Sequence, residues 1–427
     1  MKFHSTANPE GAHLDFGAAV IQGLAPDKGL YFPNEIPKLP PAVWDAEQDL
    51  TPAEIGAAIL KPFVGDDLSA SKLRQILEET LSFPFPLVEV GEDTQRYALE
   101  LFHGPTCAFK DVGARFLARC IPEFSDRKVT VLVATSGDTG SAVAQGFHNV
   151  PGVEVVLLYP SGRISKMQEL QLTTVGDNVT ALEVDGSFDD CQAMVKAAFL
   201  NGSLQAEKPL VSANSINIAR WIPQSIYYAL SVQMLGENIT FSVPSGNYGN
   251  LAAGLLAYKM GLPVAGFIAA TNANNVVPHY LSTGEFTPKP SVATISNAMD
   301  VGDPSNFIRL TRLFGDDRAA FNSMVQGFSL GDDATRQTIA STYKSTGYLL
   351  DPHAAIAYAA LDALPVPAGT QGVFLGTAAP AKFGDVIAPV VGFEPEPAPQ
   401  LAALTGRQGT SISIAATPEA LEDYLRS

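Results

Sequence analysis

The sequence predicts an α/β protein with mostly parallel sheets, arranged as two α/β subdomains with a cleft between them. Three observations carry this. From about residue 96 onward, strand-length apolar runs alternate with helical patterns. The runs are near-continuous Val, Leu and Ile, the composition of strands buried on both faces. They fall in two groups, separated by a long helical stretch near 219–235. The strands are expected at 97–102, 129–134, 153–158, 179–184, 239–243, 264–270 and 371–376, and the helices at 111–120, 141–148, 188–200, 219–235 and 250–260.

The chain before this region reads differently. Residues 1–40 are dense in Pro and Gly and read as turns and short segments. Residues 51–80 read as helical, with Thr51-Pro52 as an N-cap and first-turn pair. Phe83-Pro84-Phe85-Pro86 then breaks the pattern. A small N-terminal domain is expected over 1–85, and a catalytic core of two interleaved subdomains over 96–427. Residues 272–330, poor in strand signal and rich in Asn, Pro and Gly, read as an insertion.

Composition narrows the function. A chain of 427 residues exceeds one ordinary core. The formal charge of −17 disfavours nucleic acid and anionic lipid as partners. An anionic substrate would therefore need a local site of cations and backbone N–H donors. The three Cys make neither a disulfide framework nor a zinc spacing, and the His residues show no metal spacing. Met1–Glu10 is polar and lacks the apolar region of a signal peptide, and no apolar run has the length of a membrane span. The expectation is a cytoplasmic protein acting on a small molecule as a monomer or homodimer, without nucleic acid, membrane or metal.

Three motifs carry chemistry. Val131–Ala142 is a buried strand ending in the small-residue loop Ser136-Gly137-Asp138-Thr139-Gly140, which opens a helix. Val243–Asn250 repeats the arrangement with Ser245-Gly246-Asn247-Tyr248-Gly249-Asn250. Such loops gather N–H groups and a helix N-terminus around an anion, although each alone also fits an ordinary strand-to-helix turn. The dinucleotide pattern G-x-G-x-x-G is absent, which lowers the dehydrogenase reading. In the third motif, Lys110 follows Ala108-Phe109 and opens a helix with Asp111. Apolar company and the positive end of a helix both favour the free amine, the form that attacks a carbonyl. A lone Lys at a helix start is ordinarily just solvated, so the context decides.

That context resembles the threonine synthase family, within the β-family (fold type II) of pyridoxal 5'-phosphate enzymes. Phe102–Gly113 (F-H-G-P-T-C-A-F-K-D-V-G) is similar to the family's cofactor-lysine segment. Ser136–Gly140, Ser245–Asn250, Ser296–Asp300 (S-N-A-M-D) and Pro380–Phe383 (P-A-K-F) follow in the family's order, and Asp27–Phe32 resembles its N-terminal domain. The resemblance implies that Lys110 carries pyridoxal phosphate as a Schiff base. It implies that Gly246, Asn247, Tyr248, Gly249 and Asn250 cradle the cofactor phosphate, that Thr377 meets the pyridine nitrogen, and that Asp138 lies near the ring hydroxyl. Ser136 and Thr139 become candidate substrate contacts. Asn214, Ser215 and Arg220 become the holders of a substrate phosphate, with a surface Arg on the 219–235 helix as the alternative for Arg220. Arg163, Ser165 and Lys166 form a weaker cationic candidate. His103 is expected behind the lysine segment, and His353 at a helix start. The implied reaction is O-phospho-L-homoserine plus water giving L-threonine plus phosphate. It is a lyase-type γ-elimination with β-hydration and the last step of threonine biosynthesis, with the Lys110 amine as base at Cα and Cβ. One position departs from the family: Ala379 stands where a His is common. A serine/threonine dehydratase is the competing enzyme reading, but the Asn214–Arg220 set has no purpose with an unphosphorylated substrate. A catalytically silent relative with a binding role is opposed by intact Lys110 and Thr377.

Overall fold

A computed structural model describes residues 1–92 and 94–427. Its largest sheet has six strands, in the spatial order Val325–Ser329, Gly266–Thr271, Ile239–Pro244, Gln371–Gly376, Arg96–Glu100 and Leu87–Glu89. Every pairing is parallel except that of the edge strand Leu87–Glu89. A five-stranded sheet is parallel throughout, in the order Ile412–Ala415, Val179–Asp185, Val153–Pro160, Val129–Ala134 and Leu210–Ser212. Residues 129–212, which supply most of the second sheet, interrupt the run of strands that makes the first. This is the fold of a mixed α/β protein with sheets covered on both faces, as the continuous apolar runs require.

The strand interiors are the expected Val/Leu/Ile runs: Val129–Ala134 and Ile239–Pro244 are buried at every residue. Strands that escaped the sequence reading are short or interrupted. Val325–Ser329 contains Gln326, Gly327 and Ser329, yet it pairs in parallel with Gly266–Thr271, so the end of the 272–330 stretch belongs to the large sheet. The helical stretch near 219–235 is three pieces: Ile218–Trp221, a 3₁₀ turn Ile222–Gln224, and Ser225–Leu235. Pro223 has no N–H to continue the first helix, which explains the break.

The first 81 residues carry a two-stranded antiparallel sheet, Phe3–Ser5 with Tyr31–Pro33, and the helices Phe16–Gln22, Pro52–Val64 and Ala70–Thr80. Thr51 and Glu54 form a reciprocal capping box at Pro52–Val64, which satisfies N–H groups left open at the helix start. Phe3, Phe16, Ile55, Ile59 and Phe63 are buried in the same core cluster as Val131 and Phe241 of the two sheets. This region is joined to the sheets through apolar packing; one contact is the stack of Phe32 on Trp221 at 5.8 Å.

Both sheets direct the carboxyl ends of their parallel strands into one crevice, the position where open α/β sheets bind ligands. Ala134, Pro244 and Gly376 end strands, and Ser136, Gly246 and Thr377 follow them in the crevice lining. No helix among the described residues is long and apolar enough to cross a membrane.

Candidate active site

The crevice is a cleft of about 270 Å³. Lys110, Ser136, Thr139, Asn214, Ser215, Arg220, Gly246, Asn247, Tyr248, Gly249, Asn250 and Thr377 all line it. Asp138 does not. Arg163, Ser165 and Lys166 are also outside the lining: Ser165 caps the helix Lys166–Thr173 and Lys166 pairs with Glu169 at 3.0 Å.

Lys110 is the first residue of the helix Lys110–Phe124. Burial pulls its ammonium down to about 8, although the nearby Asp138 carboxylate opposes the shift. The segment before it is firmly held. Phe109 N–H donates to the Thr377 carbonyl at 2.9 Å, Ala108 bridges to Ala378, and the Tyr227 hydroxyl donates to the Phe109 carbonyl. Gly113 brings the helix against the Arg220 backbone: a Cβ there would stand 2.7 Å from the Arg220 carbonyl oxygen. The two cationic side chains therefore enter one cleft.

Behind Lys110 lies a buried ion pair. Lys382 Nζ is 2.6 Å from Asp138 Oδ1 and also donates to the Thr106 carbonyl at 3.1 Å. Gln168 Nε2 donates to the same Asp138 oxygen at 2.9 Å. Burial alone would raise the Asp138 carboxyl; Lys382, Lys110 and Gln168 overcome it and hold the group well below its ordinary range. The P-A-K-F lysine is thus the partner of the S-G-D-T-G aspartate, a link between two motifs that spacing alone does not reveal.

The two glycine loops differ in what they offer. In the first, Thr135 Oγ1 accepts from Gly137 N at 3.0 Å and from Gly140 N at 2.8 Å, so part of the donor set is spent internally. In the second, the N–H groups of Gly246, Asn247, Tyr248 and Gly249 find no acceptor among the described residues. Tyr248 takes a left-handed backbone, φ 59°, at the N-cap of the helix Gly249–Met260, where free N–H groups and the positive helix end favour an anion. Gly246 admits the turn Asn297–Met299, because a Cβ would stand 2.6 Å from Met299 Cα. The Asn250 amide, by contrast, is consumed within the loop: it donates to the Pro244 carbonyl at 2.8 Å and accepts from the Ser245 hydroxyl at 2.5 Å. A phosphate-sized anion with free acceptors fits this cradle, so the residues present suit pyridoxal phosphate.

Arg220 is 1% exposed and sits on the short helix Ile218–Trp221, where the surface alternative does not hold. Its Nη1 donates to the Ala213 carbonyl and its Nε has no partner among the described residues. Burial lowers it to about 10, well inside the range where it stays charged. No carboxylate forms an ion pair with it among the described residues. A buried cation that faces a cleft without a counter-ion is a place for an anion.

Several lining residues were not singled out from sequence as parts of a site. Gln224 donates to the Arg220 carbonyl at 2.7 Å. His353 lines the cleft from the start of the helix Pro352–Ala363, where the Asp351 cap accepts from its Nδ1 at 2.7 Å. Its Nε2 then accepts the Ala298 N–H at 3.3 Å, which holds the turn that packs on Gly246. Phe188, Asp189 and Gln192 line the side formed by the smaller sheet. His103 stays outside the lining, 2.6 Å from Glu100.

A family model described as "Pyridoxal-phosphate dependent enzyme" matches residues 85–365, and one described as "Threonine synthase N terminus" matches residues 2–81. Threonine synthase of Escherichia coli (strain K12) is 44% identical over 384 residues, covering 89% of each chain. Threonine synthase of Saccharomyces cerevisiae is 34% identical, covering 90% of this chain and 88% of its own. The crystal structure of the Escherichia coli threonine synthase superposes with a TM-score of 0.94 at 40% identity, covering 100% of this chain and 99% of the other. The PLP-bound threonine synthase from Brucella melitensis superposes with a TM-score of 0.91 at 34% identity, with the same coverage. Maize serine racemase, at 16% identity and a TM-score of 0.55, shares the fold alone.

Proposed function

This chain belongs to the threonine synthase family of pyridoxal-phosphate-dependent enzymes, and we infer that it converts O-phospho-L-homoserine and water to L-threonine and phosphate. The observation that carries the choice of substrate is Arg220, a buried guanidinium without a counter-ion in the same cleft as Lys110. In this reading it takes the substrate phosphate, and the α-carboxylate goes to the Ser136–Thr139 loop.

In this reading Lys110 holds the cofactor covalently, the N–H groups of Gly246, Asn247, Tyr248 and Gly249 hold its phosphate, and Thr377 meets its ring nitrogen. Asn250 supports the loop from within. Asp138 acts near the ring from behind the cleft, fixed by Lys382. When bound, pyridoxal phosphate supplies an electron sink for negative charge developing beside the amino carbon.

The chain's own groups do the rest. Arg220, Asn214 and Ser215 orient the substrate phosphate, with the guanidinium fork matched to two of its oxygens. Ser136 and Thr139 meet the amino-acid end. The Lys110 amine, when it is not bound to the cofactor, would move protons at substrate Cα and Cβ. Phosphate leaves from Cγ, which takes up a proton to become the methyl group, and the hydroxyl of water adds at Cβ in place of the proton removed there. The side carrying Phe188 and Gln192 would exclude bulk water until that addition. The protein would act in the cytoplasm.

The test is direct. Purified protein loaded with pyridoxal phosphate should release one phosphate and form one L-threonine per O-phospho-L-homoserine consumed. Turnover of L-threonine to a keto acid, with no phosphate released from phosphohomoserine, would overturn the reading in favour of a dehydratase.

A further inference from the structure

Ser215 lines the cleft, and its hydroxyl oxygen already receives two hydrogen bonds. Asn247 Nδ2 donates to it at 2.8 Å and Asn306 Nδ2 at 3.1 Å. Neither amide is free to turn round. Asn247 Oδ1 accepts the Ser305 N–H at 2.6 Å. Asn306 Oδ1 accepts from Arg309 Nη1 at 2.7 Å, and a guanidinium offers donors only. With both lone pairs of Ser215 occupied, its one remaining hydrogen-bonding capacity is its own proton.

The clamp is rigid. Arg309 and Asn306 are both 0% exposed, and neither lines the cleft. Arg309 also donates to the carbonyls of Ser215 at 3.0 Å, Ile216 at 2.6 Å and Tyr31 at 3.1 Å, and its guanidinium lies 4.3 Å from the Trp221 ring centroid. Five constraints on one planar group leave it no second position.

We propose that Asn306, oriented by Arg309, is a positioning residue that makes Ser215 a donor-only contact in the cleft, matched to a phosphoryl oxygen. This rests on the functional reading above and extends it: selection of a phosphorylated ligand is built into the polarity of the hydrogen-bond chain as well as into charge. A ligand presenting an ammonium or a committed hydroxyl proton meets a donor and is rejected. The oxygen belongs to the substrate or to the cofactor, since Gly249 of the donor loop adjoins Ser215, with a Cβ there 3.4 Å from Ser215 Cβ.

The experiment compares wild type with Asn306→Asp, Ser215→Ala and the double variant, cofactor-loaded for phosphate binding and stripped of cofactor for pyridoxal phosphate binding. Affinity for inorganic phosphate is read by calorimetry, and affinity for pyridoxal phosphate by absorbance titration. Asn306→Asp is nearly isosteric and pairs with Arg309, but gives Ser215 an acceptor that draws its proton away from the cleft. One affinity should fall about tenfold or more, the loss of a hydrogen bond to a charged group. The phosphate affinity falls if the oxygen is the substrate's, the cofactor affinity if it is the cofactor's. Ser215→Ala should lose a similar factor, and the double variant no more than either single change. Additive losses, the signature of plain repulsion by the new carboxylate, would overturn the proposal, as would two unmoved affinities. Should Asn306→Asp not fold, Arg309→Gln releases the Asn306 amide and should give the same loss, again absent in the Ser215→Ala background. A wild type that neither binds phosphate nor releases it from phosphohomoserine would overturn the functional reading as well. An active wild type with unmoved variants would overturn this inference alone.

Discussion

Two buried cations flank Lys110, and they are built on opposite principles. Lys382 has its carboxylate: Asp138, 2.6 Å away, with Gln168 and the Thr106 carbonyl completing the set. Arg220 lines the cleft and has none, and its Nε, buried beside Gly113, has no partner among the described residues. A paired buried charge is complete in itself and serves architecture. An unpaired one costs stability in the empty protein and is offset when an anion arrives. The contrast therefore separates, on physical grounds, a residue that holds the site from a residue that waits for a ligand.

The comparison breaks first at its centre. If Lys110 is the group that both cations serve, Lys110→Ala removes turnover to background together with the visible absorbance of covalently held cofactor, while Lys→Ala at a merely solvated position would leave both. Lys382→Met sharpens the paired side. It strands the Asp138 carboxylate in the interior, and a loss of about 3–5 kcal/mol in denaturant-derived stability is expected. Arg220→Met should do the reverse. No carboxylate is stranded, so stability stays within about 1 kcal/mol of wild type or rises, while KM for phosphohomoserine increases at least about tenfold. Equal destabilisation by both changes would erase the distinction. The smallest effect concerns pH. Because the Lys110 value is lowered to about 8, the ammonium dominates below that pH and the free amine above it. Only the amine attacks the cofactor aldehyde. Cofactor uptake by the apoprotein should therefore accelerate as pH rises toward 8, by about tenfold per unit well below that value, and level off above it. A rate that keeps climbing through pH 9 without levelling would show that Lys110 is not desolvated.

Most of the sheet core was legible because its strands are uninterrupted Val, Leu and Ile. Leu87–Glu89, Leu210–Ser212 and Ile412–Ala415 were not, since three or four residues give no period to read. The donor loop and Lys110 were legible as local patterns. What local pattern cannot express is the destination of a side chain. Asn250 reads as a donor to a ligand, yet its amide is spent on Pro244 and Ser245. Arg220, expected to hold a substrate phosphate, keeps a helix-surface alternative in the sequence; its burial against Gly113 removes that alternative. Asn306 and Arg309 lie in a stretch that reads as an insertion; their role appears only when Ser215, some ninety residues earlier, packs against them.

The strand order of the large sheet carries a consequence for how the protein is made. Gln371–Gly376 lies between Ile239–Pro244 and Arg96–Glu100, so the middle place is filled by a strand synthesised after both of its neighbours. At ordinary translation rates Arg96–Glu100 leaves the ribosome on the order of ten seconds or more before its partner exists. In that interval the neighbouring edges stand open, and the Lys110 segment lacks Thr377 and Ala378, two of the residues that hold its backbone. A nascent chain therefore carries its reactive lysine long before it has a place to put it. Competence for the cofactor arrives late, with the closure of a non-local pairing that is slow by its nature.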